Sequence, residues 1–310
     1  MVYFFMLSAA IDVGSNTIRL LIGQVINKKI HRYFSDRSIT RLVEGLNNSG
    51  FFKKSNMESS INVLRNISRF ISEYNVVNIR AVGTAALREA RNSNEFIEKV
   101  LQETGILIRV ISGEEEAQLT LQGVLSGLDI SERILIVDVG GGSTEWIFNG
   151  SDEVSSPIFG TIPIGVLKLL EGCIMEDPPS LAELSSVEDT VESYLKPLVD
   201  IIPRIKPNVL VGTGGTITTL ASIDLSLESY QPEIIHGHKL GLNRLLEMKD
   251  WLVSMPINKR RKIKGLEPER ADIIIPGIIL TIKIMEAVGI NELIVSDYGI
   301  LEGLLLGIEN

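Results

Sequence analysis

The chain has 310 residues, 45% of them hydrophobic and 22% charged, with a formal net charge of −9 at pH 7. That length supports two domains, or one large one, with a substantial core. The acidic balance argues against non-specific binding to nucleic acid, and the lone cysteine, Cys173, excludes a disulfide framework or a cysteine-based metal site within one chain and fits a reducing, cytoplasmic setting.

The apolar N-terminus MVYFFMLSAAIDVG lacks the basic segment of a signal peptide and reads as a first core strand reaching Asp12. TIRLLIGQVI and KIHRYFSD read as the next two strands, with a tight connection at Asn27 to Lys29. Ser-x-x-Glu capping boxes predict three helix starts, at Ser55 with Glu58, Ser112 with Glu115 and Ser180 with Glu183. The first opens a helix with apolar Ile61, Leu64, Ile67, Ile71 and Tyr74, and strands NIRAVG and ILIRVIS precede the second. Near Ser131 the pattern restarts. RILIVDVGGGSTEWIFNG repeats the form of SAAIDVGSNTIRLLIGQV, with the same aspartate and glycine between two strands. The alternation predicts an α/β fold, and the repeat predicts two related domains, 1–128 and 129–310. The third box opens a long helix towards Val199. The apolar run from Ile273 is interrupted by Pro276 and Lys283, which predicts a buried helix and no membrane span. SDYGILEG then predicts a strand end followed by a helix over about 299–310 that packs back onto the first domain.

Several stretches carry chemistry. In DVGGGSTEW, Asp138 ends a buried strand, and Gly140, Gly141 and Gly142 let backbone N–H groups approach an anion. Ser143 and Thr144 add hydroxyl donors, and Glu145 is a second carboxylate. Two acids beside an anion loop make sense if a hard cation such as Mg²⁺ sits between them and takes phosphate oxygens as well. DVGSNTIRL carries Ser15 and Asn16 in place of glycines, and adds Arg19, whose planar fork suits phosphate. LVGTGGTITTLA places Gly214, Gly215 and Thr216 at a helix start, a ready anion site. None of the three loops has the P-loop pattern. GTAALREA places Arg88 beside small residues. In SGEEEAQ the capping box predicts that Glu115 turns back to Ser112, while Glu116 points elsewhere and suits a group that orients and deprotonates water. NKRRKIKG offers Arg260, Arg261 and Lys264, with Lys259 and Lys262, either as a solvated helix face or as a basic track for a polyanion. His236 and His238 in HGHK read as loop histidines.

Taken in order, DVGSNTIRL, GTAALREA, ISGEEEAQL, DVGGGSTEW, GTGGTITTLA and SDYGILEG resemble the exopolyphosphatase/guanosine-pentaphosphate phosphohydrolase family over nearly the whole chain. The resemblance implies two duplicated ribonuclease H-like domains of the actin-like superfamily with a cleft between them. It implies hydrolysis of phosphoanhydrides, with release of terminal phosphate from inorganic polyphosphate or guanosine pentaphosphate, the latter a stringent-response nucleotide. By matched position it implies Glu116 as the base that activates water, and Asp138 and Glu145 as the acids of a site for Mg²⁺ or another divalent cation. Arg19 and Arg88 match arginines that contact phosphate, and the loops around Ser15, Asn16, Gly141 to Thr144 and Gly214 to Thr216 match phosphate holders. The sequence looks like the short two-domain form, without the helical extension of larger members, and is compatible with a homodimer. Two other readings remain at this stage: an ATP-using kinase of the same superfamily, and a sensor that binds guanosine tetraphosphate or polyphosphate without turnover.

Overall fold

The computed structural model describes residues 7–150 and 157–309. The first six residues of the expected N-terminal strand segment lie outside them. The chain divides into two compact units, Met1–Gly127 with Tyr298–Asn310, and Leu128–Asp297.

In the first unit, β1 (Ser8–Val13), β2 (Thr17–Ile26), β3 (Lys29–Ile39), β4 (Asn78–Gly83) and β5 (Ile108–Val110) form one sheet in the order β3-β2-β1-β4-β5. The first three strands pair antiparallel, and β4 and β5 add parallel. Asn27 and Lys28, with φ of 52° and 63°, supply the two left-handed positions that a tight two-residue hairpin needs. Helices α1 (Leu46–Ser49), α2 (Lys54–Glu73), α3 (Ala85–Glu89), α4 (Ser93–Thr104) and α5 (Gly113–Gly127) fill the connections. α2 buries Met57, Ile61, Leu64, Ile67 and Ile71, but Tyr74 caps its end and stays exposed. Its start also corrects the capping-box expectation, because Lys53 is the N-cap and Ser55 and Glu58 lie inside the helix. Glu58 instead takes ion pairs from Arg65 and from Lys99 of α4 at 3.0 and 2.8 Å. Two cations within reach outweigh a fold-back onto the helix's own terminus.

In the second unit, β6 (Ile134–Val139), β7 (Thr144–Asn149), β8 (Ile158–Ile162), β9 (Val209–Thr213), β10 (Lys239–Gly241) and β11 (Glu292–Val295) run in the order β10-β11-β9-β6-β7-β8. Read from its far end, β8-β7-β6-β9-β11 repeats the first sheet strand for strand, with the same antiparallel and parallel pairings. This is the ribonuclease H-like arrangement, present twice. Its helices are α6 (Val166–Cys173), α7 (Leu181–Ile205), α8 (Gly214–Asp224), α9 (Pro232–Ile235), α10 (Leu242–Val253), α11 (Ile257–Arg260) and α12 (Ile274–Val288). α12 is buried on nearly every side, as an apolar helix must be in water. Pro276 sits in its first turn, where no intrahelical N–H bond is lost. Among the described residues no helix is long and apolar enough to cross a membrane.

The box at α7 is complete: Ser180 accepts from the Glu183 N–H, and Glu183 accepts from the Ser180 N–H. Backbone donation from Met175 and Ser180, with the Ser180 hydroxyl, lowers the Glu183 carboxyl to about 2 from its ordinary 4.5. A carboxyl that titrates lower folded than unfolded stabilises fully above its unfolded value and loses that contribution as pH falls through the folded one. The stability difference between the wild type and Glu183→Gln should therefore be constant above about pH 5 and close between pH 4.5 and 2. Thermal melts of both proteins across that range measure it.

After β11 the chain re-enters the first unit at Tyr298, so that unit is discontinuous where 1–128 and 129–310 describe a simple cut. Helix α13 (Ile300–Leu306) lays Ile300, Leu301, Leu304 and Leu305 against Ala10, Leu21, Val82 and Ile111. It crosses α5 at backbone contact: a Cβ at Gly123 would overlap the Gly299 carbonyl, and one at Gly303 would overlap the Leu119 carbonyl. Buried Glu302 caps Gly299 N–H at 2.7 Å and pairs with Arg32 of β3 at 2.6 Å, while Arg32 lies 3.8 Å from the Tyr298 ring centroid.

Candidate active site

The β6–β7 hairpin of the second unit places Asp138 directly opposite Glu145. Its turn closes with Gly140 N–H donating to Ser143 O at 3.0 Å. The N-terminus of α6 then takes up the turn's carbonyls, with Val166 N–H on Gly140 O at 3.1 Å and Leu167 N–H on Gly141 O at 2.9 Å. The N–H groups of Gly141 and Gly142 stay outside the backbone hydrogen-bond network of the described residues. The close approach requires glycine at 165 as well, since a Cβ there would lie 2.6 Å from Gly140 O. The Ser143 hydroxyl donates to Glu145 Oε1 at 2.7 Å. Thr144 corrects the expectation of a phosphate-facing hydroxyl: it is fully buried and donates to Ile164 O at 2.9 Å. Its position inside β7 turns the side chain into the unit.

The second glycine loop leads from β9 into α8. Gly214 has φ of 87°, and a Cβ there would overlap Asp138 Oδ1, so both backbone conformation and space demand glycine. The first-turn N–H groups of Gly214, Gly215 and Thr216 have no intrahelical acceptor. A Cβ on Gly215 would lie 2.6 Å from Arg270 Nη1. Arg270 is thus a buried guanidinium seated against this loop, anchored by its Nε to Glu267 at 2.6 Å. Nothing in the EPERAD context pointed to it.

In the first unit the β1–β2 hairpin has the same construction. Gly14 N–H donates to Thr17 O at 3.1 Å, Val43 N–H takes Ser15 O at 3.1 Å, and Thr40 and Arg41 N–H take Asn16 O at 2.9 and 3.0 Å. Asp12 lies opposite Arg19, which donates Nε and Nη2 to Asp12 Oδ2 at 3.0 and 2.7 Å. Asp12 is buried, and neither its Oδ1 nor Asn16 Oδ1 meets a hydrogen-bond partner. Asp12 was visible in the sequence only as the match to Asp138.

The same unit brings Glu116 and Arg88 together: Nη1 of Arg88 donates to Glu116 Oε2 at 2.8 Å and to Ile111 O at 2.9 Å. Ser112 Oγ does accept from the Glu115 N–H at 3.1 Å, but the Glu115 side chain turns to Arg109, whose guanidinium it holds in a two-bond pair. The capping box is therefore only half made here. An exposed bidentate partner competes successfully with the cap.

The basic segment is not one surface. Arg260 is 3% exposed and donates to Asp177, to Met255 O at 2.7 Å and to Ala271 O at 3.0 Å. It holds loops together and is withdrawn from any polyanion. Lys264 pairs with Glu228 at 2.7 Å, and Arg261 stays exposed. Arg260→Gln should lower stability by about 2 kcal/mol, the scale of hydrogen bonds to a charged group, and leave KM for long polyphosphate unchanged. Denaturant melts with steady-state kinetics check both parts. His238 bonds Asp224 at 2.8 Å, and His236 accepts from Asp297 N–H at 3.2 Å, both as loop fastenings.

Residues 21–310 match the Ppx/GppA phosphatase family. The chain belongs to this family. Exopolyphosphatase 2 of Mycobacterium tuberculosis is 31% identical to it over 314 residues, covering 97% of this chain and 98% of its own. Among solved structures, the Aquifex aeolicus Ppx/GppA family member is 32% identical with a TM-score of 0.80, covering 98% of this chain and 97% of its own. An exopolyphosphatase from Cytophaga hutchinsonii is 28% identical with a TM-score of 0.89, at the same coverages of 98% and 97%. In this Ppx/GppA chain, the residues that sequence reasoning missed, Asp12 and Arg270, are the ones whose partners come from another strand or another loop.

Proposed function

We propose that this Ppx/GppA phosphatase is a phosphoanhydride hydrolase of the exopolyphosphatase type, releasing terminal orthophosphate from inorganic polyphosphate or guanosine pentaphosphate. The observation that carries the reading is the Asp138–Glu145 pair, two carboxylates directly opposite on antiparallel strands, at the lip of a turn whose Gly141 and Gly142 N–H groups are free of backbone bonds among the described residues. Like charges so placed destabilise a strand pair, and a phosphate held in the loop beside them would repel them further. A hard cation resolves both, taking the carboxylates and phosphate oxygens together. Among the described residues no cluster of three or more His, Cys, Asp or Glu side chains could complete such a site, so phosphate oxygens and water would make up the remaining ligands. Asp138 and Glu145 would hold Mg²⁺ or another divalent cation, which supplies charge neutralisation at the phosphoryl oxygens.

The chain's own groups do the rest. The N–H groups of Gly141, Gly142, Gly214, Gly215 and Thr216 receive phosphate oxygens, as do the turn at Ser15 and Asn16 and the guanidinium of Arg19. Arg270 adds fixed positive charge behind the α8 loop. Glu116 accepts the proton of the attacking water, and the 2.8 Å bond from Arg88 orients its carboxylate. Catalysis is then positioning and charge stabilisation. Similarity to exopolyphosphatases across the whole chain supports this reading.

Phosphate release from both substrates, side by side with and without Mg²⁺, tests it. Chelation should abolish release and Mg²⁺ restore it. Asp138→Asn should raise the Mg²⁺ concentration for half-activity by at least about tenfold, the scale of losing one metal-site group. Full activity in excess chelator would remove the cation from the mechanism. Release that requires an acceptor hydroxyl would turn the reading to a kinase, and binding without release to a sensor.

A further inference from the structure

We propose that the guanidinium of Arg19 is the first unit's built-in counterpart of the cation held by Asp138 and Glu145 in the second, with Asp12 as the positioning residue that fixes it. The inference rests on the proposed function for the second-unit half of the comparison.

The two hairpins correspond position for position without a gap: Asp12-Val13-Gly14-Ser15-Asn16-Thr17-Ile18-Arg19 against Asp138-Val139-Gly140-Gly141-Gly142-Ser143-Thr144-Glu145. Strand register confirms the match, pairing Asp12 with Arg19 and Asp138 with Glu145. The turn-closing bond is the same, 3.1 Å at Gly14 and 3.0 Å at Gly140, and in both turns neighbouring backbone N–H groups take the carbonyls. The one change of charge in the frame is at its last position. Where the second hairpin sets an acid opposite its aspartate, the first sets a permanent cation.

The Asp12–Arg19 pair differs from an ordinary cross-strand ion pair. Both donors, Nε and Nη2, fall on one oxygen, Oδ2, at 3.0 and 2.7 Å. The other oxygen is buried without a hydrogen-bond partner, and so is Asn16 Oδ1 two residues beyond the turn-closing glycine. A pair that served stability alone would fill both oxygens, because an unmet buried acceptor costs stability. Two bonds to a single oxygen fix the plane of the guanidinium instead. Unlike a bound metal, that charge survives chelation and every accessible pH. The chain would therefore carry one divalent cation, in the second unit, and one covalent cation in the first.

Arg19→Glu gives the first hairpin the acid pair of the second, and Mn²⁺ alone is the probe. Calorimetry on chelator-treated protein should find one bound Mn²⁺ in the wild type, none in Asp138→Asn, two in Arg19→Glu and one in the double variant. The melting temperature of Arg19→Glu should rise on Mn²⁺ addition by more than that of the wild type. A single Mn²⁺ in Arg19→Glu, with no extra thermal gain, overturns the proposal. Retention of the ion in Asp138→Asn sinks the second-unit reading instead, and the gain or absence of an ion on Arg19→Glu still decides this one. If Arg19→Glu fails to fold, Asp12→Asn, close to isosteric, carries the test. It should raise KM for tripolyphosphate about tenfold, the scale of one charge-assisted hydrogen bond, equally at limiting and saturating Mg²⁺, with kcat nearly unchanged. An unaltered KM would return the pair to plain strand pairing.

Discussion

Glu116→Gln is expected to lower turnover by at least about a hundredfold while polyphosphate binding persists, the range supplied by a positioned general base. The amide keeps the shape of the side chain and an oxygen for Arg88, so the 2.8 Å contact and the start of α5 survive. It cannot take a proton from water. The phosphate-binding groups proposed on the hairpins and on α8 are untouched, so the loss should appear in kcat and leave KM close to its original value. The neighbouring carboxylate is the control. Glu115 is tied to Arg109 on the surface, and its side chain is 36% exposed against 13% for Glu116, so Glu115→Gln should retain near-normal turnover. Normal activity in Glu116→Gln with loss in Glu115→Gln would reverse the assignment. Single-turnover phosphate release, with binding measured separately, reads the two variants.

Gly123→Ala is expected to destabilise the first unit by about 3 kcal/mol, at the upper end of ordinary overpacking, and to lower its melting temperature by roughly 10 °C. The added methyl would overlap the Gly299 carbonyl, which is backbone and cannot rotate away. Relief requires α13 to lift from α5, which loosens Ile300, Leu301, Leu304 and Leu305 from the sheet. Glu302 resists that movement through Arg32 and Gly299, so strain is shared across the cap. Gly172→Ala in α6 is the comparison, since a Cβ there meets nothing within 4 Å. It should be neutral or stabilising by about 0.5 kcal/mol, because alanine loses less backbone entropy in a helix. Calorimetric melts of both variants settle whether helix propensity or the α5–α13 crossing governs Gly123.

Local rules made a large part of this protein legible from its residues. Strand–glycine–strand punctuation exposed both hairpins and their duplication, because turn chemistry acts within four or five residues. The apolar run from Ile273 announced a buried helix, and the complete box at Ser180 announced the start of α7. Partner choice by long side chains was not legible. Arg260 stands in a run of cations yet is buried by Asp177, far away in sequence, and Glu58 prefers Lys99 to its own helix end. Arg270 reaches Gly215 only because the chain path brings the two loops together, and Thr144 turns inward because strand pleating places it there. Period and turn signals are set by backbone geometry over a few residues. Which charge meets which is decided by packing between segments distant in sequence, and that information exists only in the tertiary structure.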